Sequence, residues 1–247
     1  MATFVIVHGA WGGGWEWAAV ARALRGRAHE VHTPTLTGLG ERAHLAHREV
    51  GLATHVQDIV SMLELEDLHE VVLCGASYGG LPVTGAADRT ADRIGLVVYV
   101  DALVPRDGQS ACDLLPSSFG DTVRAAADAS GDGWRVPVPA MVLPAEGSVP
   151  PGERARYVGR LRDQPAASFL EPIRLTGAVD RLPRAFVRCT RSELQETVGN
   201  DPITPFAARA RAEGWIYREL EASHDPQLTN PAGTAAVLDE LATGVRG

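Results

Sequence analysis

VVLCGASYGG, residues 71–80, places a serine in a tight cluster of small residues at the end of an apolar, β-branched run. The run predicts a buried strand, and the residues after Ser77 predict a helix. Gly75 and Gly79 flank the serine as in a strand–turn–helix elbow, where glycines let the helix approach the strand. A G-x-S-x-G pattern is common, so its position between strand and helix carries the interpretation. The stretch indicates an α/β fold with Ser77 as a candidate nucleophile.

Outward from this stretch, short apolar runs alternate with amphipathic ones, which is typical of a mostly parallel sheet flanked by helices. Strands are predicted at residues 3–7, 29–34, 70–75, 94–100, 184–190 and 215–220. Helices are predicted at residues 15–25, 53–65, 78–90, 204–213 and 230–242. Residues 106–182 are rich in proline and glycine and too long for a connecting loop. We therefore predict a core of residues 1–105 and 183–247, with 106–182 inserted as a lid.

The composition predicts a globular protein and excludes several functions. Of the 247 residues, 45% are hydrophobic and 22% are charged, which suits one large core. The net charge of −8 argues against nucleic-acid binding, which needs a basic surface. The chain contains no lysine, so a Schiff-base mechanism is excluded.

Several features predict a cytoplasmic protein that does not bind membranes. The first residues, MATFVIVHGAWGGG, lack the basic start and long apolar run of a signal peptide. No apolar run approaches the ~18 residues of a membrane helix. Cys74, Cys112 and Cys189 form no spaced ligand cluster, so free thiols are expected.

A serine nucleophile needs a base, and His224 is the candidate. Seven of the eight histidines lie at or before position 69, whereas His224 follows the last predicted strand. Its loop should leave the carboxyl edge of the sheet, on the same side as Ser77. We therefore predict that His224 accepts the Ser77 proton.

Two backbone N–H groups are predicted to form an oxyanion hole. Tyr78 follows the nucleophile, and Ala10 lies in the glycine-rich loop HGAWGGGW after the first strand. His8 in this loop is interpreted as a structural hydrogen-bonding residue. A phosphate cradle is less favoured, because the loop lacks a P-loop lysine and a dinucleotide-binding spacing.

Four segments, FVIVHGAWGGGWEW, TLTGLGER, GASYGG and ASHDPQLTNP, resemble the α/β-hydrolase superfamily. More narrowly, they are similar to the small esterase branch that includes plant methyl esterases, hydroxynitrile lyases and bacterial relatives. The resemblance spans both ends and the centre of the chain, but not the expected lid. It implies an eight-stranded sheet, a Ser-His-Asp triad, and no cofactor or metal.

The triad acid is where the chain departs from the family pattern. Relatives carry it after the penultimate strand in a segment similar to C-T-x-D, but Ser192 occupies that place here. Asp101 directly follows the strand at 94–100, and Asp201 lies in a D-x-x-x-P loop. We favour Asp101, because a strand end holds a carboxylate more rigidly than a loop does. Asp201 is the alternative, and Glu193 is a third.

The resemblance favours an esterase over a hydroxynitrile lyase. The lyases have a hydroxyl residue at the place of Gly9 and a lysine at the place of Asp225, which we interpret here as a turn residue. The expected reaction is hydrolysis of a small-molecule carboxylic ester or lactone through an acyl-enzyme. A cofactor-free lyase or oxygenase using the His-Asp pair, or a ligand-binding protein with a slow triad, is the alternative.

Aromatic and apolar side chains are candidates for the substrate pocket, and they favour a small hydrophobic or aromatic substrate. The substrate-binding residues that we predict are Trp11 and Trp134. Further candidates are Phe119, Met141 and Phe169.

Overall fold

The computed structural model describes residues 1–192 and 201–244. The strands are β1 (Thr3–Val7), β2 (Glu30–His32), β3 (Val71–Ala76), β4 (Ile94–Val100), β5 (Arg135–Val136), β6 (Gln164–Pro165), β7 (Arg184–Cys189) and β8 (Ile216–Leu220). The α-helices are α1 (Ala18–Arg25), α2 (Leu52–Leu65), α3 (Gly80–Arg89), α4 (Ala111–Leu114), α5 (Phe119–Ser130), α6 (Pro151–Val158), α7 (Ala167–Leu170), α8 (Thr204–Ala212), α9 (Pro226–Thr229) and α10 (Pro231–Gly244). Short 3₁₀ helices cover Gly14–Trp17, Gly40–Leu45, Ser77–Gly79, Ala91–Arg93, Ala140–Val142 and Ala178–Arg181.

Six strands form one parallel sheet in the order β2-β1-β3-β4-β7-β8. They coincide with the six predicted apolar runs, so the α/β fold class with a parallel central sheet flanked by helices is confirmed. The number of strands is a correction, because the described residues give this sheet six strands and not eight. The expectation of eight strands comes from the family resemblance, whereas the residues themselves predict only these six.

Helices cover both faces of the sheet, because alternate strand residues point in opposite directions. Val5 and Val7 of β1 belong to a core that also contains side chains of α2, α3 and α8. Phe4 and Ile6 belong to a second core with side chains of α1 and α10. Both faces are therefore closed, which leaves the edges of the sheet for a functional site.

The carboxyl edge brings together the residues that follow three strands. Ala76 at the end of β3 pairs with Val100 at the end of β4, so Ser77 and Asp101 leave the sheet side by side. The chain after β8 leaves from the same edge and carries His224. The topology thus supports the predicted convergence of these residues.

Residues 106–182 contribute no strand to the six-stranded sheet. Their two short strands, β5 and β6, pair with each other in an antiparallel ladder. Pro137 follows β5 and Pro165 ends β6, and proline has no N–H to extend a ladder. Among residues 1–192 and 201–244, every helix is too short or too polar to span a bilayer. The three cysteines are free thiols, as expected.

Candidate active site

Ser77 lies at the sharp turn between β3 and α3. Its φ of 50° falls in the left-handed region, which costs a non-glycine residue about 1–3 kcal/mol. A Cβ on Gly75 would lie 2.5 Å from the carbonyl oxygen of Gly79, and a Cβ on Gly79 would lie 2.6 Å from that of His8. The glycines that flank Ser77 are therefore required by the close approach of β1, β3 and α3.

His224 lies within hydrogen-bond distance of both predicted partners. Its Nε2 is 2.9 Å from Ser77 Oγ, and its Nδ1 is 2.7 Å from Asp101 Oδ2. Because an ionised carboxylate only accepts hydrogen bonds, Nδ1 donates to Asp101 and Nε2 is left to accept from the Ser77 hydroxyl. This is the arrangement in which the imidazole can take the hydroxyl proton.

Asp101 is held from several sides at the end of β4. Its side chain is fully buried, its φ is 45°, and its backbone N–H donates to Val187 at 2.8 Å. Its Oδ1 accepts hydrogen bonds from Arg188 Nη1 at 2.5 Å and from the Cys189 N–H at 3.1 Å. The end of β4 thus gives Asp101 the rigid support for which the sequence favours it over Asp201.

Asp201, the first alternative acid, has partners other than His224 among the described residues. Asp201 accepts a hydrogen bond from the Ile203 N–H at 2.9 Å and forms an ion pair with Arg188. Glu193 lies outside the described part of the chain, as does the side chain of Met141.

The surroundings of His224 favour its charged form. Burial lowers the pKa of the imidazole, but the hydrogen bond and charge of Asp101, together with the charge of Asp225, outweigh it. The pKa of His224 is therefore raised above 6.5, although the charge of Arg188 opposes this rise. A base of this kind is neutral on the alkaline side of its pKa.

The candidate oxyanion donors, Ala10 and Tyr78, both line the cavity at Ser77. Tyr78 lies in the first turn of a 3₁₀ helix, where backbone N–H groups have no acceptor within the helix. Its side chain is anchored, because the hydroxyl donates to His55 Nδ1 at 2.8 Å and His55 Nε2 donates to the Thr37 carbonyl at 2.9 Å. No sequence motif marks His55 for this role.

His8 and Trp11 fix the loop that carries Ala10. His8 Nδ1 donates to the Gly9 carbonyl at 2.7 Å and Nε2 accepts from the Leu36 N–H at 3.1 Å. Burial lowers the pKa of His8 to about 4, which agrees with a structural role. Trp11 donates its indole N–H to the Val136 carbonyl at 3.0 Å, and its own carbonyl accepts from the Arg162 N–H at 2.9 Å.

The cavity at Ser77 has a volume of about 370 Å³ and is mostly apolar. Its apolar lining includes Trp11, Leu103, Leu115, Phe119, Val123, Val142, Leu143, Leu161, Phe169 and Ile203. The prediction for Trp11 agrees with this placement. Trp134 is a correction, because it is not among the described lining residues and its ring lies against the Arg135 guanidinium instead, at 5.2 Å.

The cavity also has a polar end, formed by Glu16, Tyr157, Asp225 and Gln227. The Tyr157 hydroxyl lies 3.4 Å from Asp225 Oδ1 and also interacts with Glu16. Burial and the charge of Asp225 raise the pKa of the Glu16 carboxyl well above 4.5. The interpretation of Asp225 as only a turn residue is incomplete, because Asp225 also lines the cavity. Its position beside His224 could have indicated this. No local pattern marks Glu16 or Tyr157.

Comparison with known proteins matches the chain to other hydrolases over almost its full length. It is 36% identical over 254 residues to a carbendazim hydrolyzing esterase from Nocardioides sp. (strain SG-4G), covering 98% of this chain and 100% of that protein. It is 26% identical over 260 residues to pheophorbidase from Raphanus sativus, covering 95% of this chain and 92% of that protein.

A solved structure shows the same fold. An extracellular alpha/beta-hydrolase from a Paenibacillus species, described as sharing structural and functional homology with tobacco salicylic acid binding protein 2, aligns with a TM-score of 0.84. The alignment covers 97% of this chain and 98% of that one, at 23% identity. The model of the Alpha/beta hydrolase family matches residues 4–237. The chain therefore belongs to the alpha/beta hydrolase family.

Proposed function

We propose that this protein hydrolyses a carboxylic ester or lactone of a small apolar or aromatic compound through an acyl-enzyme on Ser77. Like the relative that is 36% identical to it, the protein is a carboxylic ester hydrolase. The observation that carries the finer proposal is the pair of hydrogen bonds made by His224, 2.9 Å to Ser77 and 2.7 Å to Asp101. These bonds lie at the wall of an apolar cavity large enough for a small ester.

The mechanism follows from these contacts. Ser77 Oγ attacks the ester carbonyl carbon as His224 Nε2 takes its proton. The N–H groups of Ala10 and Tyr78 donate to the tetrahedral oxyanion. His224 then gives the proton to the leaving alcohol, and water repeats the sequence to release the acid. Asp101 keeps Nδ1 protonated and stabilises the imidazolium that forms.

Residues 106–182 act in this proposal as a lid that shapes the substrate cavity. They supply Leu115, Phe119, Val142 and Phe169 to its lining. Large apolar surfaces on this segment favour an uncharged alkyl or aryl group in the substrate. The relative named for carbendazim hydrolysis supports a compact aromatic substrate. The free cysteines support a location in the reducing cytoplasm.

Turnover of p-nitrophenyl acetate and butyrate tests the proposal. Ser77→Ala and His224→Ala should each lose at least about 10³-fold in kcat. Ser61→Ala and His69→Ala, on the surface, should keep wild-type rates. A fluorophosphonate probe should add to the Ser77 peptide in mass spectra of the wild type.

Other outcomes identify the alternative functions. Activity that survives Ser77→Ala but not His224→Ala indicates a lyase or oxygenase that uses the His-Asp pair. A wild type that binds the probe but turns over slowly indicates a ligand-binding protein with a slow triad. Either outcome contradicts the esterase proposal.

A further inference from the structure

Arg188 joins the candidate triad acid to a second buried carboxylate. Its Nη1 is 2.5 Å from Asp101 Oδ1, and its Nη2 forms an ion pair with Asp201 Oδ2. The exposed fractions of the side chains are 0% for Asp101, 7% for Asp201 and 14% for Arg188. Buried charges are costly unless they are paired and hydrogen-bonded. The three side chains therefore behave as one ion network.

The network holds one oxygen of Asp101 and leaves the other for His224. Oδ1 receives hydrogen bonds from Arg188 and from the Cys189 N–H, both on β7. Oδ2 receives only the bond from His224 among the hydrogen bonds of the described residues. Since the carboxylate group is planar, fixing Oδ1 against β7 also fixes the direction in which Oδ2 points.

We propose that Arg188 and Asp201 are positioning residues: Arg188 orients the Asp101 carboxylate toward His224, and Asp201 holds the Arg188 guanidinium. The inference rests on the proposed function, because it concerns the same site. It also gives Asp201 a role different from that of a triad acid. A planar guanidinium suits this bridge, because it can donate to two carboxylates at once, whereas an ammonium group cannot present the same fork.

The charge of Arg188 also acts on the imidazole. The charged groups that act on the His224 imidazole are Asp101 on β4, Arg188 on β7 and Asp225 beside it. Cys189 on β7 and Asp201 before α8 contact Asp101 and Arg188 instead. Asp101 and Asp225 favour the imidazolium, whereas Arg188 disfavours it. Removing the guanidinium removes this opposing charge, which alone would raise the pKa of His224. It also releases the Asp101 carboxylate, and the Asp101 hydrogen bond affects the pKa of His224 more than the Arg188 charge does.

Histidine NMR titration and steady-state kinetics, measured on the full chain, test this inference. The variants are Arg188→Met, Arg188→Lys and Asp201→Asn, and the His224 signal is assigned by its loss in His224→Gln. Arg184→Met is the matched control. Arg184 lies on the same strand, its side chain is also 14% exposed, and it pairs with Asp180 away from the triad.

In Arg188→Met, the His224 titration should move down by about 0.5–1 pH unit, because the loss of an oriented Asp101 hydrogen bond outweighs the loss of the Arg188 charge. The kcat should fall about 10–100-fold with KM within about twofold, because a misplaced base lowers the rate of the chemical step more than binding. Arg188→Lys should restore both the titration and kcat only in part, and Asp201→Asn should lower kcat with a smaller downward shift of the titration. Arg184→Met should change neither quantity.

An unchanged or raised His224 titration in folded Arg188→Met overturns the inference, because a raised one shows that Arg188 acts on His224 by its charge alone. If Arg188→Met does not fold, wild-type kcat in both Arg188→Lys and Asp201→Asn overturns it. The NMR titration separates this inference from the proposed function. A protein that hydrolyses no ester, but whose His224 titration still depends on Arg188, contradicts only the proposed function.

Discussion

The backbone N–H of Trp11 donates to Oε1 of Gln164 at 2.9 Å, and so joins the loop after β1 to residues 106–182. Gln164 is fully buried and also donates to Ser168 Oγ at 2.8 Å. Trp11 has a φ of 61°, a conformation that a bulky residue adopts only when its surroundings hold it there. The conformation of the loop that carries Ala10 therefore depends on the segment that covers the cavity.

Gln164→Ala should lower kcat by about 10-fold or more with little change in KM, because the Ala10 N–H is expected to act mainly in the transition state. Kinetics with p-nitrophenyl butyrate measure this. Gln109→Ala is the matched control, because Gln109 also accepts a backbone N–H, that of Arg106 at 2.7 Å, but lies outside the cavity lining. Equal rates for Gln164→Ala and wild type would show that the loop holds its shape without this bond.

Asp101→Asn should lower kcat by about 10³–10⁴-fold, because an amide can favour the wrong imidazole tautomer and cannot stabilise the imidazolium. Circular dichroism should show an intact fold. Asp201→Asn should cost far less, since Asp201 contacts His224 only through Arg188 and Asp101. The reverse order of the two variants would assign the triad acid to Asp201.

The pH dependence of kcat/KM should report the raised pKa of His224. The imidazole acts as a base only when neutral, so activity with an uncharged ester should rise with pH through a midpoint above 6.5 and then level off. Rates from about pH 5 to about pH 9 measure the midpoint. Any residual activity of Asp101→Asn should show a lower midpoint, since the carboxylate no longer favours the imidazolium. A wild-type midpoint below 6.5 contradicts this account.

Glu16→Gln should stabilise the protein increasingly as pH rises. The pKa of Glu16 is raised in the folded state, so above pH 4.5 the native protein holds more protons than the unfolded chain. The stability of the wild type therefore falls as pH rises, until Glu16 is ionised in the native protein. Each unit of raised pKa corresponds to about 1.4 kcal/mol, or about 3–6 °C in Tm at this size. Differential scanning calorimetry of the wild type and Glu16→Gln, at a series of pH values above 4.5, measures how their difference in Tm changes with pH. Glu64→Gln, on an exposed side chain, is the control. An equal slope in both variants would show that the pH dependence does not come from the buried Glu16 carboxyl.

The sequence predicts the positions of Ser77 and Asp101 because each follows a clear apolar run. Ser77 and Asp101 come directly after β3 and β4, and parallel strands end at the same edge. The wrong placement of Trp134 has a different origin. It lies in a segment of short helices and two-residue strands, where no long periodic pattern indicates which way a side chain points.

The sequence by itself determined the fold class, the positions of six strands and the placement of Ser77 and Asp101 at strand ends, because short-range periodicity and turn chemistry depend on neighbouring residues. Only the tertiary structure decided that Asp101 faces His224 while Asp201 faces Arg188. It also decided that Glu16, Tyr157 and Asp225 share one cavity. The physical reason is that these contacts join residues far apart in the chain, and their geometry arises from packing that no local pattern encodes.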